Sequence, residues 1–280
     1  MTATTSPHFE RYVAIGDSST EGLDDPDGAG GYRGWANRLA ERIADLEGSL
    51  RYANLGVRGL RTRQIRETQL ERAAAMRPDL VTLFAGTNDV VRRRFDPAEV
   101  GRDVELMQRT MVDGGATVVS FTLPDLSPVM PLARWLAPRV SALNEALRDA
   151  SSRSGAILVD VAKHPVASDP RLWSDDRLHA NSLGHARIAA ALAHGLGLPG
   201  TDDSWAAPLP ATRPRSTMAL VAAELSWGRR FLVPWIWRHL QGRSSGDGIS
   251  AKRPELAPMH RNGEGPPERA RQESNLRPTA

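Results

Sequence analysis

The stretch YVAIGDSSTEG, residues 12–22, changes abruptly from an apolar run to a cluster of small polar side chains. Residues 12–15 suit a strand that is buried on both faces of a sheet. Residues 16–20 are Gly, Asp, Ser, Ser and Thr, which suit a turn at the end of that strand. The pattern fits either the capped start of a helix or a nucleophilic serine presented at the edge of a sheet.

The composition is that of a globular protein without thiol chemistry. The chain has 280 residues, of which 40% are hydrophobic and 25% charged, and it contains no cysteine. Disulfides and cysteine-ligated zinc sites are therefore excluded. The net charge is +3, and the arginines are interspersed with acidic residues as on solvated helix faces. We therefore predict no nucleic-acid partner.

The N-terminal stretch MTATTSPHFERYV, residues 1–13, has neither the basic region nor the apolar region of a secretory signal. No apolar run reaches the ~18 residues that a membrane-spanning helix needs. We therefore expect a cytoplasmic protein.

Short apolar runs alternate with amphipathic stretches through the first two thirds of the chain. The predicted strands are residues 12–16, 50–55, 80–85, 117–122 and 156–159. The predicted helices are residues 32–47, 62–76, 96–113, 132–153 (with a possible interruption at Pro138) and 182–196. This alternation predicts an α/β fold, a three-layer α/β/α sandwich with a mainly parallel five-stranded sheet. Ligands bind such sheets at the carboxyl ends of the strands, where GDSS and GTND would lie.

The composition changes after residue 198. We predict one α/β domain over residues 1–198 and a Pro-rich linker over 199–215. A Trp-rich amphipathic helical segment follows over 216–241, and a disordered tail over 242–280. The Trp-rich segment could pack on the α/β domain, lie at a membrane interface, or bind a partner or a second copy of the chain. We favour packing on the domain.

The stretch SDDRLHANSLGHARIAAAL, residues 174–192, places Asp176 three residues before His179. Acyl transfer by serine needs a base and a group that orients the base, and this spacing lets a carboxylate approach the imidazole. The same pattern also suits a solvated capping turn. His185 lies on the following helix, and we interpret it as a packed or capping residue. A metal site would need further ligands beside Asp175, Asp176, His179 and His185, so we predict no metal.

Four motifs occur in order along the chain: GDS at 16–18, NLGVRG at 54–59, GTND at 86–89 and DRLH at 176–179. Together they resemble the GDSL esterase/lipase family, also called SGNH hydrolases, over residues 9–198. The resemblance implies the same three-layer fold and the hydrolysis of carboxylic esters without a cofactor. The substrates it implies are lipids, thioesters, acetylated sugars or small acyl esters.

By motif position, the resemblance implies that Ser18 is the nucleophile and His179 the general base. Asp176 would then orient the imidazole. The resemblance also implies an oxyanion hole formed by the backbone N–H groups of Ser18 and Gly59 and by the side chain of Asn88. Such donors stabilise the charge that develops in the transition state.

The sequence departs from the family pattern at two positions. Ser19 stands where the family has leucine, so a second hydroxyl follows Ser18. We prefer Ser18 because the motif places the nucleophile directly after Asp17. Arg58 stands where a small residue is usual, and it would either bind an anionic acyl group or point to solvent.

Two functional hypotheses remain from the sequence. The first is a serine hydrolase whose partner is a small-molecule or lipid ester, with peripheral membrane contact through residues 216–241 as a less favoured possibility. The second is a catalytically inactive binding or regulatory module on the same fold. The sequence does not indicate the oligomeric state.

Overall fold

The computed structural model describes residues 7–211, 226–232, 246 and 248–259. Five parallel strands form the sheet: β1 (Arg11–Gly16), β2 (Leu50–Asn54), β3 (Leu80–Phe84), β4 (Thr117–Phe121) and β5 (Ile157–Val159). A sixth strand, β6 (Arg253–Met259), pairs antiparallel with β2. The strand order is β5-β4-β3-β1-β2-β6. The chain therefore leaves β1 toward β2 on one side and returns to β3 on the other, which opens a crevice at the carboxyl ends of β1 and β3.

Helices cover both faces of the sheet. In the described part of the chain they are α1 (Ser18–Glu21), α2 (Gly34–Glu47), α3 (Thr62–Ala75), α4 (Thr87–Val90), α5 (Pro97–Asp113), α6 (Ala137–Ser154) and α7 (Ser182–Gly195). Helix α2 packs against α7, while α5 packs against both α3 and α6. The predicted three-layer α/β/α sandwich is confirmed.

The parallel strands are apolar and nearly continuous because both of their faces are covered. Residues 12–15 of β1 are inaccessible to solvent. Tyr12 stacks on Tyr52 of β2 with ring centroids 4.9 Å apart, and Phe84 at the end of β3 stacks on Phe121 of β4 at 4.2 Å. The core thus continues to the edge of the sheet where the polar motifs begin.

Strand β6 corrects two predictions, because we expected five strands and a disordered tail over 242–280. Residues 253–259 form a strand in which Ala257 lies opposite Tyr52 and Met259 opposite Leu50. Their sequence, RPELAPM, contains two prolines and lacks the pattern of a strand. The segment becomes a strand because the edge of β2 offers it partners, and local sequence does not encode such a tertiary interaction. The remainder of the predicted tail lies mostly outside the described residues.

Other boundaries differ from prediction for local reasons. The helix predicted over 132–153 is a 3-10 helix, Pro131–Leu136, followed by α6. Pro138 lies in the first turn of α6, where a missing N–H costs nothing, so it starts the helix instead of interrupting it. In the predicted linker, residues 203–206 form a 3-10 turn whose Trp205 is buried in the core.

Only residues 226–232 of the predicted Trp-rich segment are described. Ser226 and Trp227 are helical, and Gly228–Leu232 form a π-helical turn. Trp227 is buried against Leu126, Val129 and Met130. Over the described residues, no helix is both long and apolar enough to cross a membrane.

Candidate active site

The GDSS motif follows β1 through a closely packed turn. A Cβ on Gly16 would lie 2.6 Å from the carbonyl oxygen of Phe84, so only glycine fits between β1 and β3. The buried side chain of Gln69 accepts from the N–H of Gly16 and donates to its carbonyl, both at 2.9 Å. Asp17 then caps α1 by accepting the N–H of Ser19 at 3.0 Å. Ser18 consequently begins a helix at the carboxyl edge of the sheet.

The structure brings Ser18, His179 and Asp176 together. The Oγ of Ser18 lies 2.9 Å from Nε2 of His179, and Nδ1 of His179 lies 2.6 Å from Oδ2 of Asp176. The other oxygen of Asp176 accepts the N–H groups of Leu178 and His179 at 2.8 and 3.0 Å, and the hydroxyl of Ser174 at 2.6 Å. With its proton on Nδ1 facing the carboxylate, the imidazole presents an Nε2 lone pair to the Ser18 hydroxyl.

Charges around the imidazole favour its protonated form. Burial alone would lower the pKa of His179, but the hydrogen bond and charge of Asp176, with the charges of Asp24 and Asp17, raise it above 6.5. Burial tends to raise the pKa of Asp176. The hydrogen bond to His179 and the charge of that ring have the larger, opposite effect, and the pKa of Asp176 is about 2. Asp176 is therefore a carboxylate at neutral pH, and it stabilises an imidazolium when one forms.

All three groups expected to form an oxyanion hole border the same cavity as Ser18. The N–H of Ser18 is at the start of α1, where no intrahelical acceptor exists. Gly59 has a φ of +77°, and its N–H has no hydrogen-bond acceptor among the described residues. Asn88 is already engaged, because its Nδ2 donates to Oδ2 of Asp17 at 3.2 Å and to the carbonyl of Leu60 at 3.0 Å.

Asp17 lies behind this group of donors. Its side chain is buried and accepts hydrogen bonds from the backbone N–H of Ser19 and from the side-chain amide of Asn88. Burial raises the pKa of the Asp17 carboxyl to about 6. Among the described residues, the Asp17 carboxyl forms no hydrogen bond with the Ser18 hydroxyl. Its bond to Asn88 suits a role in positioning that amide.

The two departures from the family pattern have structural partners. The Oγ of Ser19 accepts a hydrogen bond from Nε1 of Trp35 at 3.2 Å. Arg58 forms an ion pair with the buried carboxylate of Glu21, and its guanidinium lies 5.4 Å from the ring centroid of Tyr32. The charge of Arg58 is therefore already balanced inside the protein.

His185 is a packing residue, as its helical position predicted. Its Nδ1 accepts the N–H of Trp35 at 3.0 Å, and its Nε2 donates to the carbonyl of Leu23 at 2.9 Å. Burial lowers its pKa to about 4, so the ring is neutral at physiological pH. It fastens α7 to the start of α2.

One group of potential metal ligands occurs in the described part of the chain. Suitable atoms of Asp24, Asp176 and His179 all lie within 4.8 Å of one another. Ser174 donates within this group, with its Oγ 2.6 Å from both Oδ2 of Asp24 and Oδ1 of Asp176. Because these atoms already form a hydrogen-bonded network, we assign no metal to them.

A cavity of about 650 Å³ opens beside Ser18 and His179. Its apolar wall includes Phe84, Phe121 and Trp173. The volume falls in the range of small-molecule sites, and the lining includes Ser18, Gly59, Asn88 and His179.

The sequence analysis did not identify three neighbours of the candidate catalytic groups. Ser174 had a weak signal, because a hydroxyl two residues before an aspartate can bond to that carboxylate in a turn. Asp24 and Trp227 had none, since they lie far from residue 176 in the sequence. Nε1 of Trp227 donates to the backbone carbonyl of Asp176 at 3.1 Å.

Comparison with known proteins identifies a family and structures with the same fold. The family model described as the GDSL-like lipase/acylhydrolase family matches residues 14–187. No curated protein matches the chain with significant similarity.

Solved structures share the fold at low sequence identity. The α/β hydrolase LAE5 from the metagenome of Lake Arreo, Spain, is 23% identical, with a TM-score of 0.56 over 67% of this chain and 95% of its own. A lipase/acylhydrolase from Enterococcus faecalis is 21% identical, with a TM-score of 0.55 over 72% of this chain and 100% of its own. A variant of Axe2, an acetyl-xylooligosaccharide esterase from Geobacillus stearothermophilus, is 18% identical, with a TM-score of 0.56 over 70% of this chain and 98% of its own.

Proposed function

Because the chain belongs to the GDSL-like lipase/acylhydrolase family, we propose that it is a serine hydrolase that cleaves carboxylic esters through an acyl-serine intermediate. The observation that carries this proposal is the hydrogen-bonded series Asp176–His179–Ser18, with distances of 2.6 and 2.9 Å. These distances lie within the range required for proton transfer between a base and a nucleophile. The series also borders a cavity with room for an acyl group.

In the acylation step, Oγ of Ser18 attacks the ester carbonyl carbon while Nε2 of His179 takes the hydroxyl proton. The electron pair of the carbonyl moves onto its oxygen, which becomes the oxyanion of a tetrahedral intermediate. The intermediate collapses by breaking the bond to the alcohol oxygen, and the imidazolium gives its proton to this leaving group. The acyl group remains on Ser18.

Deacylation repeats these steps with water. His179 removes a proton from a water molecule, the resulting hydroxide equivalent attacks the acyl carbon, and the proton returns to Oγ of Ser18 as the acid leaves. Asp176 keeps the Nδ1 proton in place and stabilises the imidazolium in both halves. No cofactor takes part in the proposed reaction.

The N–H groups of Ser18 and Gly59 and the amide of Asn88 would hold the oxyanion. Asn88 must release one of its two present acceptors to do so. Its bond to Asp17 is the longer at 3.2 Å, against 3.0 Å to Leu60. If the amide of Asn88 gives up its bond to Asp17 and binds the developing oxyanion, it stabilises the transition state. One such donor contributes about 3 kcal/mol.

We propose a carboxylic ester with an apolar or small acyl group as the substrate class. The apolar wall of the cavity supports this, as do the esterases and lipases among the structurally similar proteins. A lipid, a thioester, an acetylated sugar and a small acyl ester all fall within it.

A matched pair of serine substitutions tests the proposal. We expect Ser18→Ala to lower kcat for p-nitrophenyl esters by at least about 10⁴-fold, because it removes the nucleophile. We expect Ser19→Ala to retain activity within about threefold, because Ser19 bonds to Trp35 and not to His179. A fluorophosphonate probe should label the wild type and Ser19→Ala but not Ser18→Ala.

Other outcomes have definite meanings. A well-folded wild type that neither reacts with the probe nor hydrolyses any ester of a chain-length series would contradict the proposal and favour a binding or regulatory module. Loss of labelling only in Ser19→Ala would mean that Ser19, and not Ser18, is the nucleophile.

A further inference from the structure

Residues beyond the family match contact loops within it, two of which carry groups that we propose for catalysis. The match ends at residue 187, so residues 226–232 and 246–259 are additional to it. Trp227 contacts the turn of Asp176. An added Cβ on Gly246 would lie 2.1 Å from the carbonyl oxygen of Arg58, next to Gly59. Nζ of Lys252 donates to the carbonyls of Tyr32 and Arg33 at 2.7 and 2.9 Å.

The contact of Trp227 is the most specific of these. The indole is 8% exposed and packs in a small apolar cluster with Leu126, Val129, Met130 and Ala133, against which Trp173 and Phe231 also pack. This cluster is separate from the main core. From this buried position the indole directs its Nε1–H at the carbonyl oxygen of Asp176, 3.1 Å away.

The turn that Trp227 contacts has a backbone conformation that needs support. Arg177 has a φ of +62°, in the left-handed region that is strained for a residue with a side chain. The carbonyl of Asp176 belongs to the peptide bond that precedes Arg177, so a hydrogen bond to it restrains that φ. The guanidinium of Arg177 also lies 4.9 Å from the centroid of the Trp227 ring. One side chain thus holds the turn at two points.

We propose that Trp227 is a positioning residue, which fixes the Asp176–Arg177 peptide and thereby keeps the Asp176 carboxylate against Nδ1 of His179. The inference rests on the proposed function, because it assigns a purpose to the position of a catalytic carboxylate. It also assigns a role in the active site to a segment that lies beyond the family match.

The test substitutes Trp227 and follows both catalysis and the imidazole. Trp227→Phe removes the N–H and keeps an aromatic ring in the apolar cluster. We expect kcat for p-nitrophenyl butyrate to fall about tenfold with KM changed by less than about twofold, because the phenyl ring still packs against Trp173, which lines the cavity. Trp135→Phe is the control, since Trp135 is 84% exposed, and it should behave as the wild type.

The pKa of His179 provides a readout that lost stability alone would not move. The groups facing the imidazole are Asp176, Asp24, Asp17 and His185. If the Asp176 carboxylate moves away, the imidazolium loses its main partner, and the pKa must fall. We expect NMR titration of the His179 ring to give a value lower by at least about half a pH unit in Trp227→Phe, and unchanged in Trp135→Phe.

An isosteric replacement keeps the test decisive if Trp227→Phe does not fold. Benzothienylalanine at position 227 keeps the bicyclic shape and lacks only the N–H donor. A folded protein with the wild-type kcat and the wild-type titration of His179 would overturn the inference. Activity that does not depend on Ser18, measured with Ser18→Ala in parallel, would instead overturn the proposed function, and the titration would still report on Trp227.

Discussion

His179 has a hydroxyl on one side of its ring and carboxylates on the other. Oδ2 of Asp176 lies 2.6 Å from Nδ1, and Oδ2 of Asp24 lies 3.9 Å from the same atom. Both carboxylates, together with the buried Asp17, favour the imidazolium and outweigh the opposing effect of burial. The arrangement suits a base that must hold a proton for part of each catalytic cycle.

This electrostatic environment predicts the pH dependence of the reaction. Only neutral His179 can accept the proton of Ser18, so kcat/KM should fall as the pH drops below the pKa of His179. Because that pKa is raised above 6.5, the midpoint of the acid limb should lie above pH 6.5. Profiles of kcat/KM with p-nitrophenyl butyrate between pH 5 and 9 measure it.

Asp24→Asn provides the matched variant for this profile. Removing one of the facing carboxylates should shift the acid limb to lower pH and leave the plateau within a fewfold of wild type, because Asp24 is not the partner in direct contact with Nδ1. Brief incubation at each pH followed by assay at neutral pH separates titration from unfolding. An acid limb of the wild-type kcat/KM profile with its midpoint below pH 6.5 would contradict the raised pKa of His179.

The order and spacing of four motifs resemble a family pattern in which Ser18, His179 and Asp176 meet at one edge of the sheet, and in the structure they do. The same spacing could not foresee that the amide of Asn88 bonds to Asp17 and Leu60, since those bonds depend on how two loops approach each other. Nor could it foresee that Arg58 pairs with Glu21, although both lie in quoted motifs. Pairing between side chains depends on tertiary geometry, which local pattern leaves undetermined.

At the level of elements, the loop that carries His179 packs against the first turn of α7. Asn181 caps α7 by accepting the N–H groups of Leu183 and Gly184, and its own N–H donates to the carbonyl of Leu172 at 2.9 Å. A Cβ on Gly184 would lie 2.2 Å from that same carbonyl oxygen. The close approach of helix and loop sets where the segment from Leu172 to His179 can lie.

The substitution Gly184→Ala tests the contact between Gly184 and the carbonyl of Leu172. Helix propensity alone favours alanine over glycine by about 1 kcal/mol, which would raise Tm. We expect the opposite, a lower Tm and a kcat/KM reduced at least about tenfold, because the backbone of Leu172 must move and carry His179 with it. Leu183→Ala, in the same turn with a side chain 46% exposed, is the control and should keep kcat/KM within about twofold. A more stable and fully active Gly184→Ala would contradict the role given to the contact.

The predicted elements of the α/β domain agree with the structure because their patterns are periodic and their ends carry explicit signals. Asp96 caps α5, Pro97 occupies its first turn, and Gly114 follows its end; residues of these types at these positions are start and stop signals that can be read from sequence. Strand β6 had no such signal. Its register is set by the exposed edge of β2, and of its seven residues four are partly buried and three are exposed.

Across the whole molecule, the C-terminal residues complete the sheet. Without β6, the edge of β2 would expose its hydrogen-bonding groups and part of the ring of Tyr52, which is inaccessible in the structure. The guanidinium of Arg253 lies 5.4 Å from the centroid of that ring, and its Nε donates to the Tyr52 carbonyl at 2.9 Å. Pro254 and Pro258 in β6 lack N–H donors, which hinders addition of a further strand.

A pair of truncations measures how much β6 contributes to the stability of the protein. Deleting residues 251–280 removes β6 and Lys252, whereas deleting 260–280 removes none of the described residues. The first should lower the free energy of unfolding in urea by about 2–5 kcal/mol, since an aromatic side chain and a strand edge become exposed. It should also increase self-association in light scattering, because an uncovered edge can pair with another chain. The second should match the full chain in both measurements. Equal stability of the two truncated proteins would mean that β6 adds little, and that the parallel strands alone hold β2 in place.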